Sequence, residues 1–231
     1  MNRARLLFDL DDTLLDFHRA ERKAIAAVFD SLGIAPDEEL LKRYSEINLS
    51  CWEKLELGEM TRDEVKTTRF ELLFAEKVIH ASPAEAQERY ETRLARGHYF
   101  IPGAPELLET LSGSYDLYLV SNGMSSVQEG RLASADISRY FRDIFISELL
   151  GADKPSKEFF ERCFERIPGL DRNRTMIIGD SLSSDIRGGI NAGIKTCWFN
   201  PQQRPPREDI RPDYTVSSLA ELPALLENVF G

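Results

Sequence analysis

The feature that most constrains the fold is the alternation of short apolar runs with helical patterns along much of the chain. Strands that alternate with helices build right-handed βαβ units, which form a parallel sheet covered by helices on both faces. The sequence therefore predicts a three-layer α/β fold. The predicted strands are 4–10, 115–121, 143–147, 174–180 and 195–199, and the predicted helices are 104–111, 125–133, 157–166, 184–192 and 219–229.

One long stretch interrupts this alternation. Residues from about 17 to 99 contain no convincing strand, but they do contain helix start signals. Thr61–Glu64 and Ser82–Glu85 both have the capping-box pattern, in which Ser or Thr begins a helix and Glu follows three residues later. We therefore predict a block of about four helices inserted after the first strand. The predicted division is a Rossmann-like core of residues 1–16 and 100–231 with an inserted all-helical cap domain of residues 17–99.

Composition limits the environment and the partners of the chain. The 231 residues are 42% hydrophobic and carry a net charge of −10, so we expect a folded protein that repels nucleic acid and anionic membranes. An anionic substrate would have to find its cations locally. Three scattered cysteines without a CxxC pair, and no apolar run approaching about 18 residues, predict a cytoplasmic protein in a reducing compartment.

Polar side chains gather where the predicted strands end. The stretch "LLFDLDDTLLD", residues 6–16, places four aspartates directly after an apolar run. Because the carboxyl ends of parallel strands share one edge of a sheet, where ligands bind, we expect these clusters to converge. Carboxylates without a nearby His or Cys favour a hard ion such as Mg²⁺, with Asp9 and Asp180 as direct ligands. The clusters are Asp9–Thr13, Ser121–Gly123, Lys154–Pro155 and Gly179–Asp180, the last followed by Asp185.

Other readings of these residues fit less well. A calcium loop would need Gly in place of Leu14, and the chain has neither a GxxxxGK[ST] phosphate loop nor a zinc-ligand spacing. "GDSLS" resembles a nucleophile elbow, but no histidine follows Ser181 to complete a Ser–Asp–His triad. An Asp-rich turn is often only solvated. Four such clusters at successive strand ends are harder to assign to chance.

The ordered motifs resemble those of a known superfamily. "DLDDT" (residues 9–13), Ser121, Lys154 and "GDSLSSD" (residues 179–185) are similar to the four motifs of the haloacid dehalogenase-like hydrolases. A helical cap between the first two motifs resembles subclass I of that superfamily. The stretches "VSNGMSSVQEGRL" and "GGINAGIKTCWFN" resemble the bacterial pyrimidine 5′-nucleotidase branch.

The resemblance implies a Mg²⁺-dependent phosphomonoesterase that forms an aspartyl-phosphate. Asp9 is then the nucleophile, and Asp11 is the general acid and base whose main-chain carbonyl touches the metal beside Asp9 and Asp180. Dehalogenases lack an aspartate at the Asp11 position, so its presence favours phosphoryl transfer. The implied supporting roles are phosphate binding by Ser121, Asn122 and Lys154, orientation of Lys154 or a metal-bound water by Asp185, and loop geometry for Thr13. For Thr13 and Asn122, a structural hydrogen bond is an equal alternative.

The cap would choose the leaving group. Asn48 and Trp52, four residues apart, share a helix face and could read and stack on a base, although base rates favour Trp52 as core between cap helices. Phe17 could gate the site or merely pack. Arg69 could meet substrate, but a solvated helix face is the default expectation for it. We predict a nucleoside 5′-monophosphatase of the pyrimidine type, acting as a monomer or homodimer on a small phosphorylated metabolite. The alternatives are a sugar-phosphate or phosphoglycolate phosphatase, and a catalytically idle phosphoryl-binding regulatory protein.

Overall fold

The computed structural model describes residues 3–231 and alternates strands with helices except in one long helical stretch. The strands are β1 (Arg5–Phe8), β2 (Asp116–Ser121), β3 (Phe141–Ile146), β4 (Thr175–Gly179), β5 (Lys195–Phe199) and β6 (Tyr214–Val216). The helices are α1 (Phe17–Ser31), α2 (Glu38–Glu56), α3 (Arg62–Glu76), α4 (Pro83–Leu94), α5 (Ala104–Ser112), α6 (Ser125–Ala135), α7 (Ser147–Leu150), α8 (Lys157–Glu165), α9 (Arg187–Ala192) and α10 (Leu222–Phe230).

The six strands form one parallel sheet in the order β3-β2-β1-β4-β5-β6. β1 lies between β2 and β4, and Leu7 pairs with Tyr118 on one side and Ile177 on the other. All carboxyl ends therefore point to the same edge, and the residue that follows β1 lies at its centre. The predicted α/β class is confirmed.

Both faces of the sheet are buried, which explains why its strands read as continuous apolar runs. Leu6 and Phe8 belong to one apolar cluster, which includes residues of α5 and α10. Leu7 belongs to a second cluster with residues of α8, on the opposite face. This alternation fixes the register of β1, because a slip of one residue would exchange the two faces.

Helices α1 to α4 form the helical insert, residues 17–99, between β1 and β2. They share an apolar cluster, which includes Ile25, Tyr44, Phe70 and Tyr90 and extends to Val127 of α6. Thr61 and Glu64 form the predicted capping box, and Ser82 caps α4 by accepting a hydrogen bond from the Glu85 N–H. The exact division of the chain into two domains stays a prediction. Among residues 3–231, no helix has the length and apolar character to cross a bilayer.

Two elements differ from the prediction in ways that matter at the sheet edge. β6 has only three residues, too few for an apolar pattern to reveal it. The helix predicted for 184–192 instead begins as a π-helical turn, Leu182–Ile186, and continues as α9. The Ser181 hydroxyl caps this turn by accepting a hydrogen bond from the Ser184 N–H. Such turns are frequent at functional sites.

Candidate active site

The sheet brings the predicted strand-end residues to one place. Asp9 directly follows β1, and its N–H donates to the Ile178 carbonyl at 2.9 Å, extending the sheet by one residue. Ser121 is the last residue of β2, and Asp180 directly follows β4. Since β2 and β4 flank β1, these residues lie around Asp9. The same cleft is also lined by Asp11, Lys154 and Asp185.

Lys154 holds this edge together. The residue is 1% exposed, and its ammonium donates to Asp9 Oδ1 and Asp185 Oδ1, both at 2.7 Å, and to the Val120 carbonyl at 3.1 Å. Burial acts to lower the pKa of Lys154, but the Asp185 and Asp9 carboxylates outweigh it and raise that pKa above its usual range. Lys154 is therefore a fixed positive charge between two carboxylates.

The acidic residues fit a divalent cation. Asp9, Asp180 and Asp185 each offer a carboxylate oxygen, and these oxygens lie within 4.8 Å of one another. Burial raises the pKa of Asp180 to about 7, helped by Asp185 and Asp12, and burial raises the pKa of Asp9 well above its usual value although Lys154 opposes it. Carboxylates this close repel one another, and a divalent cation would add positive charge to that of Lys154 and Arg204. An all-oxygen donor set of this kind suits Mg²⁺.

Asp185 is oriented as the predicted partner of Lys154. One carboxylate oxygen accepts from Lys154, and the other accepts from the Ser181 N–H at 3.1 Å. Gly179 leaves room for it, because a Cβ at that position would overlap the Asp185 carboxylate. The π-helical turn that carries Asp185 thus directs the carboxylate back toward the end of β4.

The remaining residues of the first motif have distinct surroundings. Asp11 is bound by Gln128 and Arg131 through its carboxylate. Asp12 has a left-handed backbone, with φ of 57°, and accepts from the Phe17 N–H at 2.9 Å at the start of α1, whose N-cap is Asp16. Thr13 is fully buried, and its hydroxyl has no hydrogen-bond partner within residues 3–231.

The side chains of Ser121 and Asn122 have different hydrogen-bond partners. The Ser121 hydroxyl is buried beside Asp9's strand end and accepts from the Gly123 N–H at 3.1 Å. The Asn122 amide binds the main chain of Lys154 in both directions, each hydrogen bond being 2.8 Å long. This pair of bonds places Lys154, so the structural alternative for Asn122 has direct support.

The cleft extends from the sheet edge into the helical insert and has a volume of about 810 Å³. Phe17, Asn48 and Trp52 all line it, and Trp52 is half-buried rather than enclosed in the core of the insert. The expectation that Arg69 lies on a solvated helix face was wrong. Arg69 is 1% exposed and also lines the cleft.

A buried polar network explains the position of Arg69. Its guanidinium donates to Asn48 Oδ1 at 2.7 Å and to Gln87 Oε1 at 2.7 Å, and it lies over the Tyr90 ring. Asn48 in turn donates to Glu21 Oε1 at 2.7 Å. The cleft end formed by the insert therefore carries a buried cation and a buried carboxylate joined through a neutral amide.

Several residues at the site were not found from the sequence. Arg204 donates to the Asp180 carbonyl at 2.7 Å and to Asp180 Oδ2 at 3.3 Å, and the Trp198 indole N–H donates to the same carbonyl at 2.9 Å. Arg204 lies in a proline-rich segment, residues 201–209, whose sequence has no periodic pattern that would predict this contact. Gln128 and Arg131 lie three apart on α6, and that shared helix face was their only signal.

Mg²⁺ is expected to stabilise the protein measurably. At a concentration 100 times its dissociation constant, an ion that binds only the folded chain adds about 2.7 kcal/mol, or roughly 5–10 °C in Tm for a chain of this size. The shift should be smaller at pH 5.5 than at pH 8, because the raised pKa of Asp180 lets protons compete with the ion. Thermal melts with and without EDTA measure it.

Asp180→Asn should remove most of this Mg²⁺-dependent shift. Asp136→Asn is the matched control, because Asp136 is an exposed residue at the end of α6 with a left-handed backbone that Asn also adopts. An undiminished shift in Asp180→Asn would contradict the assignment of that carboxylate to the ion.

Comparisons with known proteins agree with one another. The family model for haloacid dehalogenase-like hydrolases matches residues 5–193. HAD-hydrolase YfnB of Bacillus subtilis is 44% identical over 217 residues, which cover 94% of this chain and 92% of that protein. The magnesium-bound YfnB crystal structure, described as revealing interdomain movement, has a TM-score of 0.93 and 42% identity, covering 98% of this chain and 99% of that one.

Two further relatives have named activities. Pyrimidine 5′-nucleotidase PynA of Streptococcus pneumoniae is 38% identical and covers 94% of this chain and 92% of its own length. Pyrimidine 5′-nucleotidase YjjG of Escherichia coli is 34% identical and covers 96% of both chains.

Proposed function

The chain belongs to the haloacid dehalogenase-like hydrolases, and on that basis we propose that it is a Mg²⁺-dependent phosphomonoesterase acting on pyrimidine nucleoside 5′-monophosphates. The observation that carries the proposal is the arrangement of Asp9, with one oxygen on the buried Lys154 ammonium, beside Asp180 and Asp185 at the sheet edge. The nucleotidases PynA and YjjG, similar along nearly their whole length, support the choice of substrate.

Asp9 attacks the phosphorus atom. Its Oδ1 accepts from Lys154, and no hydrogen bond within residues 3–231 uses Oδ2, which leaves that oxygen available for attack on the phosphoryl group. The P–O bond to the nucleoside breaks as the bond from Asp9 forms, giving an aspartyl-phosphate. Water then cleaves this intermediate, releasing inorganic phosphate and restoring the carboxylate.

Charge must be supplied before a carboxylate can approach a phosphate dianion. Mg²⁺ bound by Asp9, the Asp11 carbonyl and Asp180 would polarise the phosphoryl oxygens and neutralise their charge. The Lys154 ammonium lies at the attacking carboxylate, and the Ser121 hydroxyl lies on the neighbouring strand end. These local cations and hydrogen-bond donors would offset the repulsion between an anionic substrate and a chain with a net charge of −10.

Asp11 acts as the general acid and then as the general base. It gives a proton to the 5′ oxygen of the departing nucleoside and then takes one from the water that hydrolyses the aspartyl-phosphate. An alkoxide is a poor leaving group, so this proton matters most for natural nucleotides. Asp11 is the reason for proposing phosphoryl transfer rather than dehalogenation, because a halide leaves without protonation.

The insert end of the cleft holds the nucleoside. Trp52 offers an aromatic face, and the buried Arg69–Asn48–Glu21 network offers both hydrogen-bond donors and acceptors. The edge of a pyrimidine carries carbonyl oxygens beside an N–H or amino group. A planar base lying on Trp52 would therefore meet partners of both kinds.

Trp52→Ala tests this placement of the base. Loss of stacking on a base costs about 1–3 kcal/mol, so kcat/KM for a pyrimidine nucleotide should fall roughly 5- to 150-fold. Ribose 5-phosphate, which has no base, should be affected only a few-fold. Leu72→Ala, at a solvent-exposed apolar residue of α3, is the control. Equal losses on both substrates would mean that Trp52 only packs the insert.

A substrate panel tests the function as a whole. We expect Mg²⁺-dependent phosphate release, with the highest kcat/KM for pyrimidine nucleoside 5′-monophosphates and lower values for purine nucleotides, sugar phosphates and phosphoglycolate. If kcat/KM is highest for a sugar phosphate or phosphoglycolate, the proposed substrate class is wrong, but the proposed phosphomonoesterase chemistry still holds. No turnover of any phosphomonoester would support a phosphoryl-binding regulatory role instead.

A further inference from the structure

Two side chains of α6 bind the carboxylate of Asp11. Gln128 Nε2 donates to Asp11 Oδ2 at 2.6 Å, and the Arg131 guanidinium forms an ion pair with Oδ1. Both oxygens of the side chain assigned to proton transfer are therefore engaged by the protein. A general acid must place one oxygen about 2.6–3.2 Å from the leaving-group oxygen, so whatever fixes Asp11 also decides whether it can act.

Gln128 and Arg131 are themselves fixed by burial and by further hydrogen bonds. Gln128 is 1% exposed, and its Nε2 also donates to the Ser121 hydroxyl at 2.8 Å. Arg131 is fully buried and donates to Gln128 Oε1 at 3.2 Å. Gly123 provides the space for this arrangement, because a Cβ there would overlap the Gln128 side chain. The position of Asp11 is thus tied to the phosphate-binding end of β2.

Arg131 also reaches the helical insert. Its Nε donates to the Gly97 carbonyl at 3.0 Å, in the segment between α4 and α5 by which the insert returns to the sheet. Its guanidinium carbon lies 5.7 Å from the centre of the Phe17 ring at the start of α1. One buried side chain therefore contacts both connections of the insert and the carboxylate of Asp11.

We propose that Gln128 and Arg131 are positioning residues for the general acid. Through Arg131, the orientation of the Asp11 carboxylate depends on the position of the helical insert. This inference rests on the proposed phosphomonoesterase function. When a nucleotide occupies the cleft, one Asp11 oxygen must turn to the leaving oxygen while the other keeps its partner on α6. Before a nucleotide binds, the two donors hold the carboxylate in one orientation, and the bond that remains afterwards limits its rotation.

Leaving-group dependence separates this role from a merely structural one. The test compares kcat/KM for uridine 5′-monophosphate, which needs protonation, with that for p-nitrophenyl phosphate, which needs almost none. Gln128→Met and Arg131→Met should lower the first value by about 10- to 100-fold, part of the 10²- to 10⁴-fold that acid–base catalysis supplies, and the second only a few-fold. Arg131→Lys should recover part of the loss.

Two controls sharpen the comparison. Glu129→Gln changes an exposed neighbour on the same helix and should leave both substrates unaffected. In an Asp11→Asn background, adding Gln128→Met should cost little more, because residues that act as one unit are not additive. If Arg131→Met does not fold, Gln128→Met and Arg131→Lys decide the question.

The outcomes distinguish this inference from the proposed function. Equal loss on both substrates, or a full additional loss in the Asp11→Asn background, would overturn the positioning role. A wild-type protein that hydrolyses neither substrate would instead overturn the phosphomonoesterase assignment.

Discussion

Asp9→Asn is expected to lower kcat by about 10⁴-fold or more while leaving the fold intact. The substitution keeps the shape of the side chain but removes the charged oxygen that attacks phosphorus. Asp9 is 6% exposed and directly follows the central strand, whereas the nearby Asp180 and Asp185 contact Arg204 and Lys154. Steady-state kinetics with saturating Mg²⁺, together with a melting curve, measure both parts of the expectation.

Asp12→Asn is the matched control in the same loop. Asp12 accepts from the first N–H groups of α1 and has a positive φ of 57°, a conformation that Asn adopts readily, and an Asn oxygen can accept the same hydrogen bonds. Its activity should stay within a few-fold of wild type. Near-normal turnover by Asp9→Asn would show that another group attacks the substrate.

Lys154→Met is expected to damage both stability and activity. The substitution leaves the buried carboxylates of Asp9 and Asp185 without their shared ammonium, and breaking a buried pair in this way costs about 3–5 kcal/mol. Turnover should fall together with stability, because Lys154 also relieves the charge between Asp9 and the phosphate. Denaturant unfolding in EDTA measures the stability loss without compensation by Mg²⁺.

The cost of Lys154→Met should increase with pH. Lys154 opposes the effect of burial on the pKa of Asp9, so its removal raises that pKa further above the unfolded value. The folded variant then binds more protons than the unfolded chain, and its stability decreases as pH rises. The loss should therefore be larger at pH 8 than at pH 5.5.

Lys157→Met is the control for this prediction, since Lys157 is exposed at the start of α8. It should unfold like the wild type at both pH values. A Lys154→Met variant of wild-type stability at pH 8 would mean that the two carboxylates are neutral or otherwise compensated in the folded protein.

The fold was largely predictable because its strands are buried on both faces. Such strands read as unbroken apolar runs, and β1, β2, β4 and β5 were found within about two residues. β6 was missed because a three-residue edge strand carries too little pattern. The π-helical turn before α9 was missed because its spacing depends on the Ser181 cap and on Asp185, and apolar periodicity does not report either contact.

The candidate site was predictable where polar residues interrupt those runs. Asp9, Ser121 and Asp180 stand at strand ends, and the geometry of parallel sheets brings such ends together. Arg69 was misread because a charged residue on a helix is usually solvated, whereas here Asn48 and Gln87 satisfy it in the interior. The contact between Arg204 and Asp180 comes from a loop without periodicity, so only the three-dimensional structure reveals it.

Chemical trapping of the intermediate tests the central claim most directly. The enzyme is mixed with a pyrimidine nucleoside monophosphate and Mg²⁺, quenched during turnover, and treated with borohydride, which reduces an acyl phosphate to an alcohol. Peptide mass spectrometry then locates the modified residue. We predict conversion of Asp9 to homoserine, absent without substrate. Modification at a different carboxylate, or turnover without any modified residue, would contradict nucleophilic attack by Asp9.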